Sequence, residues 1–193
     1  MIIGLAGTHC TGKSTLAQAV ADRYGIPFIK TSTSQVFKEL GKDPKVAMPL
    51  TERLQVQKVI LYRLAEEWAD VGKDQLHITD RTPYCMAAYT LAEVSGYETI
   101  HPFHDRELMN YLALCHEVAT EFFGSIVHLP IALEFEENQE KIRASGSRAY
   151  REHHDLILRG LLSGKANVFG MPHIDLDLRV SMIGGIMGAD KPS

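Results

Sequence analysis

Apolar and polar residues alternate along the chain in blocks that predict strands and helices in turn. Short apolar runs typical of buried strands lie at residues 1–7, 26–29, 76–79, 125–129 and 167–171. Between and after them, apolar residues recur at helical spacing in segments 13–24, 35–40, 51–71, 83–94, 105–123, 150–162 and 177–187. Parallel strands need long, usually helical connections, so this alternation predicts an α/β fold: a mostly parallel sheet of about five strands covered on both faces.

Two details refine these predictions. The segment 51–71 contains neither glycine nor proline and is predicted to be the longest helix, with Thr51 as a candidate N-cap. Residues 41–49 and 96–104 are predicted loops. In such folds ligands bind at the carboxyl ends of the strands, which directs attention to the residues that follow each apolar run.

The residues after the first predicted strand form a phosphate-binding motif. Gly7-Thr-His-Cys-Thr-Gly-Lys-Ser-Thr15 fits G-x-x-x-x-G-K-[ST] and lies between a predicted strand and a predicted helix. Glycines let the backbone curl until several N–H groups face anionic oxygens, and the following helix adds its positive end. The motif predicts ATP binding by Gly7, Thr8, His9, Cys10, Thr11, Gly12, Lys13, Ser14 and Thr15.

Within this motif, two side chains have predicted roles of their own. Lys13 is predicted to reach the β- and γ-phosphates, and the Ser14 hydroxyl to coordinate Mg²⁺. His9 and Cys10 occupy variable positions and are read as loop residues, neither catalytic nor metal-binding.

Composition limits the class of protein. The chain has 193 residues, 45% of them hydrophobic, which predicts one domain spanning 1–193. The net charge of −4 argues against a broad surface for double-stranded nucleic acid, while a local basic pocket stays open. Three widely spaced cysteines argue against a disulfide framework and favour a cytoplasmic location. Neither a targeting segment nor a membrane span is expected, and a homodimer is left open.

A phosphate loop alone does not separate kinases from other P-loop proteins. The candidate region for the base-reading Asn-Lys-x-Asp segment of GTPases reads Val127-His-Leu-Pro-Ile131 and contains nothing similar. Motor ATPases of the AAA type usually have a longer chain, a helical lid domain and arginines that act across subunits. An ATPase or nucleotide switch therefore remains an alternative.

The chain resembles the small P-loop nucleoside and nucleotide kinases at the loop Gly7–Thr15, at Asp80-Arg81 and at the arginine-rich segment 143–151. The nicotinamide riboside kinase domains of NadR type and small bacteriophage kinases are the most similar in appearance. The resemblance implies a three-layer α/β/α P-loop fold and a mobile arginine-rich lid at about residues 134–152. It also implies ATP, Mg²⁺ and a small nucleoside or nucleotide substrate.

Asp80 follows a predicted strand, where P-loop enzymes place a carboxylate that holds Mg²⁺ or accepts the proton of the acceptor hydroxyl. Deoxynucleoside kinases carry Glu-Arg-Ser there, and Asp80-Arg81-Thr82 has a shorter acid, so the metal role is better supported than the base role. Arg81 is predicted to bind a substrate phosphate. The alternative is that Asp80 only caps the helix after it.

The acceptor side and the lid supply the remaining candidates. Arg53 and Gln57 share one face of the long helix and either bind the substrate or form a solvated polar face. By resemblance, Arg148 is the best candidate for a lid arginine at the transferring phosphoryl group. Arg143 and Arg151 are weaker candidates, toward ATP and substrate respectively, and a solvated charged helix is the alternative for the whole lid segment.

The sequence thus predicts a kinase that moves the γ-phosphoryl group of ATP to a nucleoside or nucleoside monophosphate. One alternative is a kinase acting on modified bases or on ends in DNA. The other is a P-loop ATPase or switch that has no small-molecule acceptor.

Overall fold

A computed structural model describes residues 1–31, 33–43, 46, 48–71, 74–94, 101–131 and 148–188. Their centre is a five-stranded sheet in which every pairing is parallel, in the order β2-β3-β1-β4-β5. The strands are β1 (Ile2–Ala6), β2 (Phe28–Ile29), β3 (His77–Thr79), β4 (Phe123–His128) and β5 (Val168–Gly170). The predicted sheet and its parallel arrangement are confirmed.

The helices connect these strands in the predicted order. They are α1 (Lys13–Tyr24), α2 (Thr33–Glu39), α3 (Leu50–Ala69), α4 (Pro83–Glu93), α5 (Pro102–Phe122), α6 (Arg148–Leu162) and α7 (Leu176–Met187). Helices α1 and α7 pack against each other, whereas α4 packs against α3, α5 and α6. The sheet lies between these two helical groups, which gives the three layers.

Two apolar clusters hold the layers together. On the α1 and α7 side, Leu16, Val20 and Ile183 are fully buried with the β1 residues Ile3 and Leu5. On the other side, helices α2 to α6 bury a larger cluster around Trp68, whose ring meets that of Phe123 edge to face at 4.9 Å. Every residue of β1 is buried, as expected of the central strand of a covered parallel sheet.

Three predicted boundaries are wrong. Helix α3 begins at Leu50 after Pro49, so Thr51 lies inside the helix and is not its N-cap. Helix α5 begins at Pro102, inside the predicted loop, because proline suits the first helical position and the His101 ring accepts a hydrogen bond from the Phe103 amide. Strand β2 has only two residues.

The topology brings two chain segments together at one edge of the sheet. Strands β1 and β3 are neighbours, and Gly4 pairs with Thr79. The loop after β1 and the residues after β3 therefore emerge side by side. None of the helices in the described ranges is both long and apolar enough to cross a membrane.

Candidate active site

The phosphate loop joins β1 to α1, and its two fixed glycines are required for different reasons. A Cβ on Gly7 would lie 2.7 Å from the Leu129 carbonyl oxygen and 2.9 Å from the Thr11 hydroxyl oxygen, so only glycine fits there. Gly12 precedes α1 with a φ of 84°, in the left-handed region that glycine adopts at little cost. The loop also curls through Cys10, whose φ is 59°.

The N-terminus of α1 is built as an anion site. No side chain caps its first N–H groups, and its first turn contains no acidic residue. Uncapped N–H groups and the positive end of the helix together attract negative charge. The loop is internally braced, because the Thr11 hydroxyl donates to the Thr8 carbonyl oxygen at 2.9 Å. Thr8 is buried and Thr15 is exposed.

Lys13 folds back over this loop. Its Nζ donates to the Thr8 carbonyl oxygen at 2.6 Å. Burial lowers the pKa of Lys13 to about 8, the positive charge of Arg81 acts in the same direction, and the charges of Cys85, Asp80 and Cys10 oppose the change. The lysine is thus withdrawn from water beside a second cation. A bound phosphate would relieve both costs.

Asp80 reaches Ser14 across the mouth of the loop. The Ser14 hydroxyl donates to one carboxylate oxygen of Asp80, and the Thr31 hydroxyl is 3.4 Å from the other. A hydroxyl oxygen beside a carboxylate oxygen is the donor set that Mg²⁺ prefers. The two predicted metal ligands are therefore brought together, and these residues fit the ion.

Asp80 is not the cap of α4. That position belongs to Thr82, whose hydroxyl accepts a hydrogen bond from the Cys85 amide at 3.3 Å, with Pro83 in the first turn. The capping alternative for Asp80 is wrong, because the carboxylate faces the phosphate loop and a threonine two residues later satisfies the helix. Arg81, between them, is partly buried.

On the acceptor side, Arg53 and Gln57 are both buried, at 8% and 7% exposure, so the alternative of a solvated polar face is wrong. Arg53 forms an ion pair with Glu93 of α4. Burial raises the pKa of Glu93, while the charge and hydrogen bond of Arg53 and a hydrogen bond with Tyr150 of α6 oppose that rise. The cluster joins three helices.

Only the end of the predicted lid falls in the described ranges; Arg143 and most of residues 134–152 lie outside them. Arg148 begins α6 and is exposed, whereas Arg151, one turn later, is 3% exposed. The solvated alternative therefore does not hold for Arg151.

Four aromatic side chains lie together at the phosphate loop, and of these only His9 belongs to the predicted ATP-binding motif. The Nδ1 of His9 lies 3.4 Å from the Tyr89 hydroxyl, and the rings of Tyr89 and His154 are centred 4.0 Å apart. The Tyr150 ring is 6.4 Å from that of His9. Burial lowers the pKa of His154 to about 4, so it is neutral at physiological pH. The phosphate-loop motif includes only His9 of this group, because the other three residues come from α4 and α6.

Asp155 anchors α6 to the sheet. Its carboxylate binds His128 of β4 at 2.9 Å and Arg159 at 2.7 Å. Burial opposes the ionisation of Asp155, but the hydrogen bonds and charges of His128 and Arg159 outweigh it and keep its pKa below the ordinary value. The middle of α6 is thereby tied to the sheet.

Comparison with known proteins identifies the family of this architecture. The model of a family described as an AAA domain matches residues 2–169. No curated protein sequence matches the chain significantly.

Several solved structures share the fold. A deoxyadenosine kinase from M. mycoides is 16% identical with a TM-score of 0.63, and the alignment covers 99% of this chain and 100% of that one. A thymidylate kinase from Candida albicans is 15% identical with a TM-score of 0.69, covering 98% and 91%. A NadR protein is 12% identical with a TM-score of 0.69, covering 100% of this chain and 51% of that one. At these identities the likeness shows a common fold.

Proposed function

The chain belongs to the AAA domain family, and we propose that it is a kinase that moves the γ-phosphoryl group of ATP to a nucleoside or nucleoside monophosphate. The observation that carries this proposal is the contact between Ser14 and Asp80 beside Lys13, at the mouth of the phosphate loop. It joins an anion site, a cation and a metal-binding pair at one edge of the sheet.

The phosphate loop binds the donor in this proposal. Backbone N–H groups of the loop and of the start of α1 donate hydrogen bonds to the β-phosphate oxygens, and Lys13 neutralises charge that develops on the transferring group. Ser14 and Asp80 hold Mg²⁺, which supplies Lewis-acid stabilisation of the phosphate oxygens when bound. The hydrogen bond of Thr31 orients the Asp80 carboxylate.

The acceptor binds between the residues that follow β3 and the helices α3 and α4. Arg81 binds a phosphoryl or substrate oxygen. Burial is the main cause of the lowered pKa of Lys13, and the positive charge of Arg81 adds to it, so an anion bound near both side chains would be favourable. Gln57 and the pair Arg53–Glu93 supply donors and acceptors for a base edge or a monophosphate. Arg148, at the exposed start of α6, binds the γ-phosphate, and Arg151 contacts the substrate from the same helix.

The ligands bound to proteins of similar fold support this proposal. The deoxyadenosine kinase was solved with dCMP and dCDP, and the NadR protein with NAD and the ATP analogue AMP-PNP. The net charge of −4 also favours a small-molecule acceptor over a double-stranded nucleic acid.

The AAA description of the family keeps the ATPase alternative in view, so the experiment must separate transfer from hydrolysis. Purified protein is incubated with Mg²⁺ and γ-labelled ATP against nucleosides, deoxynucleoside monophosphates, nicotinamide riboside and a short DNA. Lys13→Ala is the inactive variant, and Lys38→Ala, an exposed lysine of α2, is the matched control.

We expect label on one small molecule, lost in Lys13→Ala and retained in Lys38→Ala. Label found only on DNA would show that the acceptor is a nucleic acid and not a small molecule. Label released only as free phosphate, whatever acceptor is present, would identify an ATPase or switch and overturn the kinase proposal.

A further inference from the structure

Arg179 of α7 lies beside the phosphate loop, although nothing in the sequence pattern marks it. A Cβ placed on Gly12 would be 3.8 Å from the Nη1 of Arg179. The Nε of the same side chain is shielded from solvent and has no hydrogen-bond partner among the described residues. A buried N–H without an acceptor is costly, so the Nε–H of Arg179 would be stabilised by an acceptor that the described residues do not supply.

The surroundings of Arg179 are electropositive on the side that faces α1. Gly12 caps the positive end of α1, which has neither a capping side chain nor an acidic residue in its first turn, and Lys13 adds a full charge. The start of α7, in contrast, has Asp175 as its N-cap and Asp177 in its first turn, and the Asp175 carboxylate accepts a hydrogen bond from the Leu178 amide at 2.9 Å. A cation held against the uncapped end of α1 is unfavourable until an anion binds there.

We propose that Arg179 is a ligand of the phosphate chain of the donor nucleotide, on the side of the loop opposite to Asp80. The inference rests on the proposed ATP site. Helix α1 contacts β3 and also packs along α7. Asp80 and Ser14 face the β3 side, where the γ-phosphate must meet the acceptor, so Arg179 binds the phosphates at the α7 side. Its planar fork suits two phosphate oxygens.

Titration calorimetry without any acceptor tests this role, with ATP and inorganic tripolyphosphate as the two probes in the presence of Mg²⁺. Arg179→Met keeps the aliphatic stem that packs between α1 and α7 and removes the charge. Arg179→Lys keeps the charge and removes the fork. Arg23→Met, which alters an exposed arginine at the far end of α1, is the control.

We expect Arg179→Met to lower the affinity for ATP and for tripolyphosphate by the same factor, about tenfold to a hundredfold. The affinities of Arg179→Lys should lie between those of Arg179→Met and the unaltered protein. Arg23→Met should bind both probes normally. Loss of affinity for ATP alone would indicate a contact to the base or ribose and overturn the proposal, as would normal binding of both probes.

Failure of the proposed site would look different. If Lys13→Ala bound ATP as well as the unaltered protein does, the phosphate loop would not be the nucleotide site, whatever Arg179 did. If Arg179→Met had a strongly lowered melting temperature, the Arg179→Lys variant would decide, because it preserves both the stem and the charge.

Discussion

The hydroxyl of Ser14 donates a hydrogen bond to the carboxylate of Asp80, although 66 positions separate the two residues in the chain. The contact exists because β1 and β3 are adjacent and parallel, so that the segments following them meet. It brings two hard oxygen ligands to the positive end of α1. The same contact leads to the first prediction.

Asp80→Asn should lower the turnover number by about a hundredfold or more while leaving the fold intact, because the amide cannot replace a carboxylate as a metal ligand. The Mg²⁺ concentration for half-maximal rate should rise as well. The measurement is a series of initial rates against Mg²⁺ concentration. Asp22→Asn, on the exposed side of α1, should behave normally. An unchanged Mg²⁺ dependence would remove Asp80 from the metal site.

Lys13 should destabilise the protein when no nucleotide is bound, and the variant Lys13→Met tests this. Its pKa falls to about 8 in the folded state from 10.5, so between these values the unfolded chain binds more protons and stability rises with pH. At pH 7 the variant should melt about 2–4 °C higher, corresponding to about 1 kcal/mol after allowing for partial exposure. The gain should vanish above about pH 10.5.

Thermal melts at several pH values provide that comparison, with Lys38→Met as the surface control. A variant that melts lower at pH 7 would contradict the cost of burying this lysine. ATP should stabilise the unaltered protein and leave Lys13→Met unchanged, since ligand binding raises apparent stability only where the ligand binds.

The glycines of the loop should differ in their tolerance of alanine. Gly7→Ala brings a Cβ against backbone, so it should destabilise by about 2–3 kcal/mol. Gly12→Ala has room and incurs only the left-handed backbone, about 1–2 kcal/mol. Gly25→Ala, at a φ of 66° with no atom within 4 Å of the added Cβ, measures that backbone term alone.

Urea unfolding of the three variants gives the order directly. Equal losses at Gly7 and Gly25 would mean that the loop moves away from the Leu129 carbonyl at little cost. If Gly12→Ala lost more stability than Gly7→Ala, the close approach of the Leu129 carbonyl would not be the main restriction on the loop glycines.

Local signals in the sequence were sufficient for the sheet, the phosphate loop and Asp80. Each depends on neighbours in the chain: an apolar run, two glycines at fixed spacing, a polar residue where a strand ends. The alternative of Asp80 as the cap of α4 could not be dismissed from the sequence, because Asp80 and Thr82 are both good capping residues and only the backbone decides which one precedes the first turn.

The remaining site residues could not be predicted in this way. Arg53 meets Glu93, and Arg179 approaches Gly12, through the packing of separate helices. A helical pattern gives the face on which Arg53 lies, but not what the neighbouring helix presents to it. Such pairs depend on the relative position of elements, which no local spacing encodes.

The ion pair between Arg53, which is buried, and Glu93, whose side chain is 27% exposed, should show strong coupling. Glu93→Gln leaves the Arg53 guanidinium buried without a counter-charge, so it should destabilise by about 2–4 kcal/mol. Arg53→Met with Glu93→Gln should recover much of that loss, because no charge then remains. A double-mutant cycle by urea unfolding measures the coupling, and additive losses would mean that the two side chains do not act as a pair.

Asp155→Asn should loosen the anchorage of α6, because the amide keeps the shape of the side chain but removes the charge that His128 and Arg159 bind. The folded-state pKa of Asp155 is held below its ordinary value of 3.8, so its contribution is fully present above that pH and is lost as the pH falls through the folded pKa. At pH 7 we expect a loss of about 1–3 kcal/mol. The difference between the two proteins should shrink below about pH 3.8. Arg159→Met should lower the free energy of unfolding by less than Asp155→Asn does, since the Arg159 side chain is 53% exposed and its ion pair is screened by solvent.

Urea unfolding of both variants from pH 3 to pH 8 measures these effects. If the stability difference between Asp155→Asn and the unaltered protein stayed constant down to pH 3, Asp155 would act through its shape and not through its charge.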